Sequence, residues 1–291
     1  MAPRFDTISF LSDYGTTDEF VGVVKSVIRS IAPHVTVVDI THEVPPYSVK
    51  TGALTLARSV QYLCPGVVLA VVDPGVGTTR RGVALQVGEG ESYLVGPDNG
   101  LLAPAVGLVG GATAAVELDN PDYQLPAPGA TFAGRDVFAP AAAHLCAGVP
   151  LEELGTGIDT ASLLPGVMPL PREESGSLVG QVLWVDRYGN CQLNLDPEQI
   201  EGWDERVQLR WSGPRAGVRT VRWATSFAAH GRGEVGLVVD SYGLLAVAVA
   251  EGSAADLLGL EAGDEVALTP LDGEPDQPGR SVPVTLERKP T

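Results

Sequence analysis

Val67-Val68-Leu69-Ala70-Val71-Val72-Asp73-Pro74-Gly75-Val76-Gly77-Thr78-Thr79-Arg80 is the stretch on which the reading of this chain turns. Its first six residues form an unbroken apolar run, the pattern of a strand buried on both faces of a parallel sheet. Asp73 then sets a carboxylate at the carboxyl end of that strand, and Arg80 returns a guanidinium seven positions later. In open α/β sheets ligands bind in the crevice outside these strand ends. Glycine lets the backbone approach a ligand closely, and an arginine folding back over the loop can pair with the aspartate. Alone, the segment reads equally as a βα turn carrying a surface ion pair.

Its neighbours extend the pattern. Residues 7–11 predict a strand ending at Ser12-Asp13-Tyr14-Gly15, followed by a helix over 17–31 with Phe20, Val23, Val24, Val27, Ile28 and Ile31 at 3–4 spacing. Thr16 and Glu19 offer a capping box. A strand at 35–40, a helix at 53–63 and the strand at 67–72 follow, so the first half is built of βαβ crossovers on a mainly parallel sheet. Further strands are expected at 83–87, 93–95 and 114–118, and helices at 101–109 and 136–146.

After a proline-rich connector the texture changes to short strands at 179–185, 191–195, 207–211, 218–223, 235–239, 244–249 and 282–286, with a surface loop at 272–280. Many short strands in succession predict a barrel or sandwich. The expected division is an α/β domain with a mainly parallel sheet over 1–165, a connector at 166–174 and a smaller, all-β, barrel-like domain over 175–291.

The 291 residues carry a formal charge of −17, which argues against nucleic acid or an anionic membrane as partner and suits a cationic ligand. Cys64, Cys146 and Cys191 lack metal-ligand spacing and read as reduced thiols. No apolar run reaches the length of a membrane span, and the amino terminus lacks a signal-peptide pattern, so a cytoplasmic location is expected. None of His34, His42, His144 and His230 has metal-ligand spacing, and no metal site is expected. No dinucleotide, Walker or zinc motif is present.

Four loops of the first half should present polar groups to one crevice. Asp13 and Asp18 frame the first, where a carboxylate can take a ribose diol, although Asp18 reads equally as a first-turn acid on the helix dipole. Asp73 and Arg80 form the second. Gly96-Pro97-Asp98-Asn99-Gly100 is the third, and alone it reads better as a plain turn. The fourth is Thr131-Phe132-Ala133-Gly134-Arg135-Asp136-Val137-Phe138-Ala139-Pro140. In the second half, Asp186-Arg187-Tyr188-Gly189-Asn190 joins two strands and sets an aromatic ring beside a side-chain amide, a pairing that suits a purine or serves simply as a hairpin turn.

Taken in order, these segments resemble the S-adenosyl-L-methionine hydroxide adenosyltransferases, hydrolase relatives of the fluorinase and chlorinase. The likeness is carried by residues 10–18, Val35-Thr36-Val37-Val38-Asp39-Ile40-Thr41-His42, 72–78, 96–102, 131–140, 186–190, Asp240-Ser241-Tyr242-Gly243 and Gly252-Ser253-Ala254, and spans about 8–255. The family often has asparagine where this chain has Asp240.

The resemblance implies a homotrimer whose active sites lie where one subunit's first domain meets its neighbour's second. The implied reaction is attack of water on the ribose 5′ carbon of S-adenosyl-L-methionine, giving adenosine and L-methionine with no cofactor. It also implies roles for particular residues. Asp13 would hold the ribose hydroxyls, with Asp18 in the same loop, and Tyr47 and Phe132 would line the substrate. Asp186 would take the methionine ammonium, Tyr188 would stack on adenine beside Asn190, and Ser241 would close on the methionine carboxylate. Asp73 and Arg80 match two of three water-activating residues. The halogenases carry a different sequence at 73–76, and a carboxylate there would repel a halide, which favours the hydrolases.

The third member of that set is a histidine, and here the position is Ala133. A methyl group neither orients water nor relays its proton, so slowed turnover with retained binding is expected. The alanine reads either as a replacement that traps substrate or as a variant that manages with Asp73 and Arg80. Two other readings stay open: a non-catalytic S-adenosylmethionine or adenosine binder, and a halogenase.

Overall fold

A computed structural model describes residues 4–213 and 215–271, and the expected strand at 282–286 and loop at 272–280 lie outside them. The chain divides into two compact units, Met1–Pro169 and Leu170–Thr291.

The first unit is α/β. Its strands are β1 (Thr7–Ser12), β2 (Thr36–Thr41), β3 (Val67–Val71), β4 (Gly82–Val87), β5 (Ser92–Pro97), β6 (Ala112–Glu117) and β7 (Thr156–Gly157). Its helices are α1 (Phe20–Ile31), α2 (Val49–Val60), α3 (Ala103–Leu108) and α4 (Ala139–Cys146). The sheet runs β2-β1-β3-β5-β4-β6-β7, parallel from β2 to β5 and antiparallel beyond. α1 packs with α4, and α2 with α3. The apolar run at 67–71 is buried throughout because alternate residues feed two cores: Val67, Leu69 and Val71 join the α1 and α4 side, Val68 and Ala70 the other.

The starts of α1 and α2 differ from expectation for local reasons. α1 begins at Phe20 with Glu19 as its N-cap and no capping box, because the Thr16 hydroxyl instead donates to Glu43 at 3.1 Å. α2 begins at Val49, before the expected Ala53. Pro45 and Pro46 hold the chain out of helical geometry only up to Ser48, its N-cap.

The second unit is a closed barrel. Its strands are β8 (Arg172–Glu174), β9 (Ser177–Val185), β10 (Cys191–Leu193), β11 (Arg206–Trp211), β12 (Gly217–Ala224), β13 (Val235–Val239), β14 (Leu245–Val249) and β15 (Glu265–Pro270), with helix α5 (Ala254–Leu258). Seven strands close in the order β9-β10-β14-β13-β12-β11-β15, and β8 pairs on the outside of β9. Alternate side chains such as Val207, Leu209, Val266 and Leu268 fill the interior.

The third loop does not reach the crevice. Asp98 is buried, its Oδ2 accepts Arg81 Nε at 3.0 Å and Nη2 at 2.6 Å, and its Oδ1 accepts the Leu164 amide at 2.8 Å. Arg81 also donates to Ser162, so the pair fastens residues 162–164 against the sheet. Removing one partner of such a pair strands the other charge in the interior. Arg81→Ala should therefore lower the unfolding free energy by about 3 kcal/mol in urea denaturation.

Candidate active site

β1 and β3 are neighbours, but the chain leaves β1 for β2 on one side and leaves β3 for β4 on the other, with β5 between them in the sheet. This is a topological switch point, where the loops after adjacent strands diverge and leave a crevice. A cleft of about 320 Å³ lies there, walled by Asp13 and Tyr14 after β1, Tyr47 before α2, Asp73 after β3, and Phe132 and Ala133.

Asp73 is the most constrained charge in this cleft. Its side chain is 6% exposed, and Oδ2 accepts Arg80 Nη2 at 2.5 Å. Oδ1 is buried without a hydrogen-bond partner, as is Arg80 Nε. Burial pushes the Asp73 carboxyl above its ordinary range, against the pull of Arg80, while the nearby Asp13 charge adds to the rise. Arg80 is itself fixed: Nη1 donates to the Arg81 carbonyl at 3.0 Å and the guanidinium carbon lies 5.3 Å from the Phe138 ring centroid. Asn99 steadies the strand end, donating from Nδ2 to the Val72 carbonyl at 2.9 Å.

The opposite wall is held by a polar relay. His42, 5% exposed, bridges Ser12 Oγ at 2.8 Å and Asp39 Oδ1 at 3.0 Å, and Lys25 pairs with Asp39 at 2.6 Å. Burial works against the Asp39 charge, but hydrogen bonds from Lys25 and His42 hold its carboxyl below the ordinary value. Ser12 Oγ in turn accepts the Tyr14 amide at 3.3 Å, so His42 shapes the loop bearing Asp13. Asp13 Oδ2 accepts the Tyr47 amide at 2.9 Å, and Tyr47 holds a left-handed φ of 68° with its ring 76% exposed. A tyrosine in that conformation is strained, which marks a position held by its surroundings.

The fourth segment enters α4 through a π-helical turn, Gly134–Phe138. Pro140 has no amide to offer the Asp136 carbonyl, which accepts the Leu125 amide at 2.8 Å instead. Asp136 binds Arg135 at 2.6 and 3.0 Å, and the Arg135 guanidinium lies 5.1 Å from the Phe132 ring. Phe132 packs edge-on against both Tyr14 and Phe20, which are tilted against each other, with centroids 5.0 to 5.7 Å apart. The Tyr14 hydroxyl presses on Gly134, where a Cβ would collide with it.

In the second unit, Asp186 organises its own hairpin. Oδ1 accepts the amides of Tyr188 at 2.8 Å and Asn190 at 2.9 Å, and Oδ2 accepts Asn190 Nδ2 at 2.8 Å. The 240–244 loop is built alike, with Asp240 Oδ1 accepting the Tyr242 and Leu244 amides, and Gln192 donating to Oδ2. Gly189 takes φ 80° and abuts Ser253, the N-cap of α5, leaving no room for a Cβ. Tyr188 is 78% exposed, and Ser241 is exposed on the matching loop.

The first unit thus gathers Asp13, Tyr47, Asp73, Phe132 and Ala133 around one cleft, with Arg80 behind Asp73. Asp18 is exposed in the bend before α1 and is not part of the cleft wall. Asp186, Tyr188, Asn190 and Ser241 belong to loops of the second unit. Sequence reasoning passed over Tyr14 and Gly134, whose contact spans 120 positions; the aromatic residue directly after Asp13 was the one available signal. Among the described residues, no cluster of three His, Cys, Asp or Glu is placed to hold a metal ion, and no helix is long and apolar enough to cross a membrane.

The SAM hydroxide adenosyltransferase N-terminal domain matches residues 8–155, and the corresponding C-terminal domain matches 180–267. An (R)-S-adenosyl-L-methionine hydrolase of Salinispora tropica is 44% identical over 92% of this chain and 99% of its own length. One from Thermus thermophilus is 42% identical over 90% of this chain and 98% of its own. A fluorinase of Actinoplanes is 30% identical, covering 90% of this chain and 97% of its own. A conserved protein of Thermotoga maritima superposes with a TM-score of 0.82 at 34% identity, over 90% of this chain and 99% of its own.

The packing of Tyr14 on Gly134 generates a stability prediction. Gly134→Ala should cost about 1–3 kcal/mol in thermal or urea unfolding, as overpacked sites do. Adding Tyr14→Phe, which removes the colliding oxygen, should recover part of that loss.

Proposed function

The chain belongs to the SAM hydroxide adenosyltransferase family, and from that membership we propose that it hydrolyses S-adenosyl-L-methionine to adenosine and L-methionine. The observation that carries this reading is the Asp73 carboxylate on the cleft wall, nearly buried and paired with Arg80. A carboxylate on the wall of the cleft can take a proton from water. The substrate's sulfonium is already a good leaving group, so the displacement needs a positioned water and a proton acceptor and no cofactor. Water attacks the ribose 5′ carbon, the carbon–sulfur electron pair returns to sulfur, and the sulfonium charge is lost as one proton reaches Asp73. The names of the relatives support the (R) sulfonium epimer as the form turned over.

In this reading Asp13 receives the ribose hydroxyls, while Phe132 and Tyr47 wall the nucleoside, with Asp18 at the mouth of the loop. Asp186 takes the methionine ammonium, Tyr188 and Asn190 take adenine, and Ser241 takes the methionine carboxylate. From the family likeness we place each complete site between neighbouring subunits of a homotrimer in the cytoplasm, an arrangement that would cover Tyr47 and Tyr188, both more than three-quarters exposed.

Ala133 contributes only a methyl group to the cleft, and we infer that it slows turnover while sparing binding. This is also the observation that favours the second reading, a binder without activity. A halogenase reading is disfavoured, since a carboxylate at the point of attack repels a halide.

Product analysis after incubation with S-adenosyl-L-methionine should find adenosine and methionine in equal amounts, with faster release by Ala133→His. Asp73→Asn should reduce kcat by about a hundredfold or more. The native acid limb should lie above the ordinary aspartate range, because Asp73 is the base only when ionised and burial raises its pKa. Calorimetric binding without any product would establish the second reading. For the shared site, Asp73→Asn and Tyr188→Ala subunits reassembled in equal amounts should regain about a quarter of native activity, the fraction of interfaces joining two unaltered halves.

A further inference from the structure

One hydroxyl in the cleft has no part in the scheme above. Tyr14 follows Asp13 directly and shares the cleft with Asp73. Its ring is held on three sides, by Phe10 at 6.5 Å and by Phe20 and Phe132 at 5.7 Å each. Its oxygen rests on Gly134, beside Ala133, so the phenol cannot swing away from this wall. Burial pushes the hydroxyl's pKa well above its ordinary value, and the Asp13 and Asp73 carboxylates add to the rise. Tyr14 therefore keeps its proton at neutral pH and acts through hydrogen bonds, as a donor and as an acceptor.

A water poised to attack carbon needs acceptors for both of its hydrogens, leaving a lone pair for the new bond. The Asp73 carboxylate, on the cleft wall, supplies one acceptor. Arg80 Nε is unpartnered, but a guanidinium only donates. Ala133 offers a methyl group, and Asp13 is engaged by the ribose hydroxyls in that scheme. Thr131 is exposed at the rim. The Tyr14 oxygen is the fixed, sheltered acceptor that remains.

We propose that Tyr14 Oη is the second hydrogen-bond partner of the attacking water, a role that rests on the hydrolase reading. The water oxygen bonds to the ribose 5′ carbon as the carbon–sulfur bond breaks, and the released pair makes methionine's neutral thioether. One water proton passes to the Asp73 carboxylate. The other stays on oxygen as the 5′ hydroxyl of adenosine, held by Tyr14 Oη. Tyr14 is thus a catalytic residue for this reaction, supplied by the chain itself on the wall where Ala133 offers nothing polar.

The test is Tyr14→Phe, which keeps the ring and its aromatic packing and removes one oxygen. Adenosine release is measured over a range of S-adenosyl-L-methionine concentrations, beside calorimetric binding of the same substrate. The expected result is a kcat lower by about tenfold or more, the worth of one hydrogen bond in the transition state, with KM and the dissociation constant within about twofold of the native values. A Tyr14→Phe rate equal to that of the native protein would overturn the inference alone. So would a parallel loss of binding, which would mark Tyr14 as a packing residue. If the native protein forms no adenosine, the hydrolase reading falls first, and this inference with it.

Discussion

Burial of one carboxylate beside one guanidinium governs this cleft. Asp73 sits at the end of a strand whose every residue is buried, and its side chain is 6% exposed. An isolated charge in that position would cost several kcal/mol, and the carboxyl would neutralise instead. Arg80 keeps it ionisable at the cost of a loop that must fold back over seven residues. Thr78 supports that fold-back, donating to the Gly75 carbonyl at 2.7 Å and accepting the Arg80 amide at 3.3 Å. Paired in this way, the carboxylate still lines the cleft and leaves a proton acceptor on its wall.

The surroundings of Asp73 are rigid for separate physical reasons that converge. Asn99 ties off the carbonyl at Val72, one residue before the carboxylate. On the facing strand, the Ser12–His42–Asp39–Lys25 relay holds the loop of Asp13 and Tyr14. On the third side, a π turn and a proline turn the chain so that Phe132 and Ala133 face the crevice and Gly134 receives the Tyr14 hydroxyl. None of these supports is itself a charge in the cleft, yet each sets where one stands. Geometry of this kind matters because misplacing a reacting group by an ångström can cost a hundredfold in rate.

Much of this was legible in the sequence, for identifiable reasons. A buried parallel strand reads as an apolar run, so β3 and the residue at its end could be located directly, and β1 was legible from Ile8, Phe10 and Leu11 ahead of the Ser12-Asp13-Tyr14-Gly15 turn. The Asp73–Arg80 pair was legible because both partners lie in one short loop. Asp98 misled because a polar turn looks the same whether it faces a crevice or, as here, is buried against Arg81. β15 went unread: Glu265–Pro270 is short, half polar and bounded by a proline, and only its pairing between β11 and β9 makes it the strand that closes the barrel. Tyr14 was equally opaque, since its meaning lies in Gly134 and Phe132, far away in sequence. Asp186 and Asp240 share an aspartate, a tyrosine and a glycine at the same spacing, but their equivalence as hairpin organisers emerges only from the amides they accept.

The central claim is that Asp73 activates a water that becomes the 5′ hydroxyl of adenosine. The most direct measurement is turnover of S-adenosyl-L-methionine in ¹⁸O-enriched water, with mass analysis of both products. Hydrolysis at the ribose carbon predicts one heavy oxygen in adenosine at the 5′ position and none in methionine. Adenosine without the label, or label carried by methionine, would contradict it.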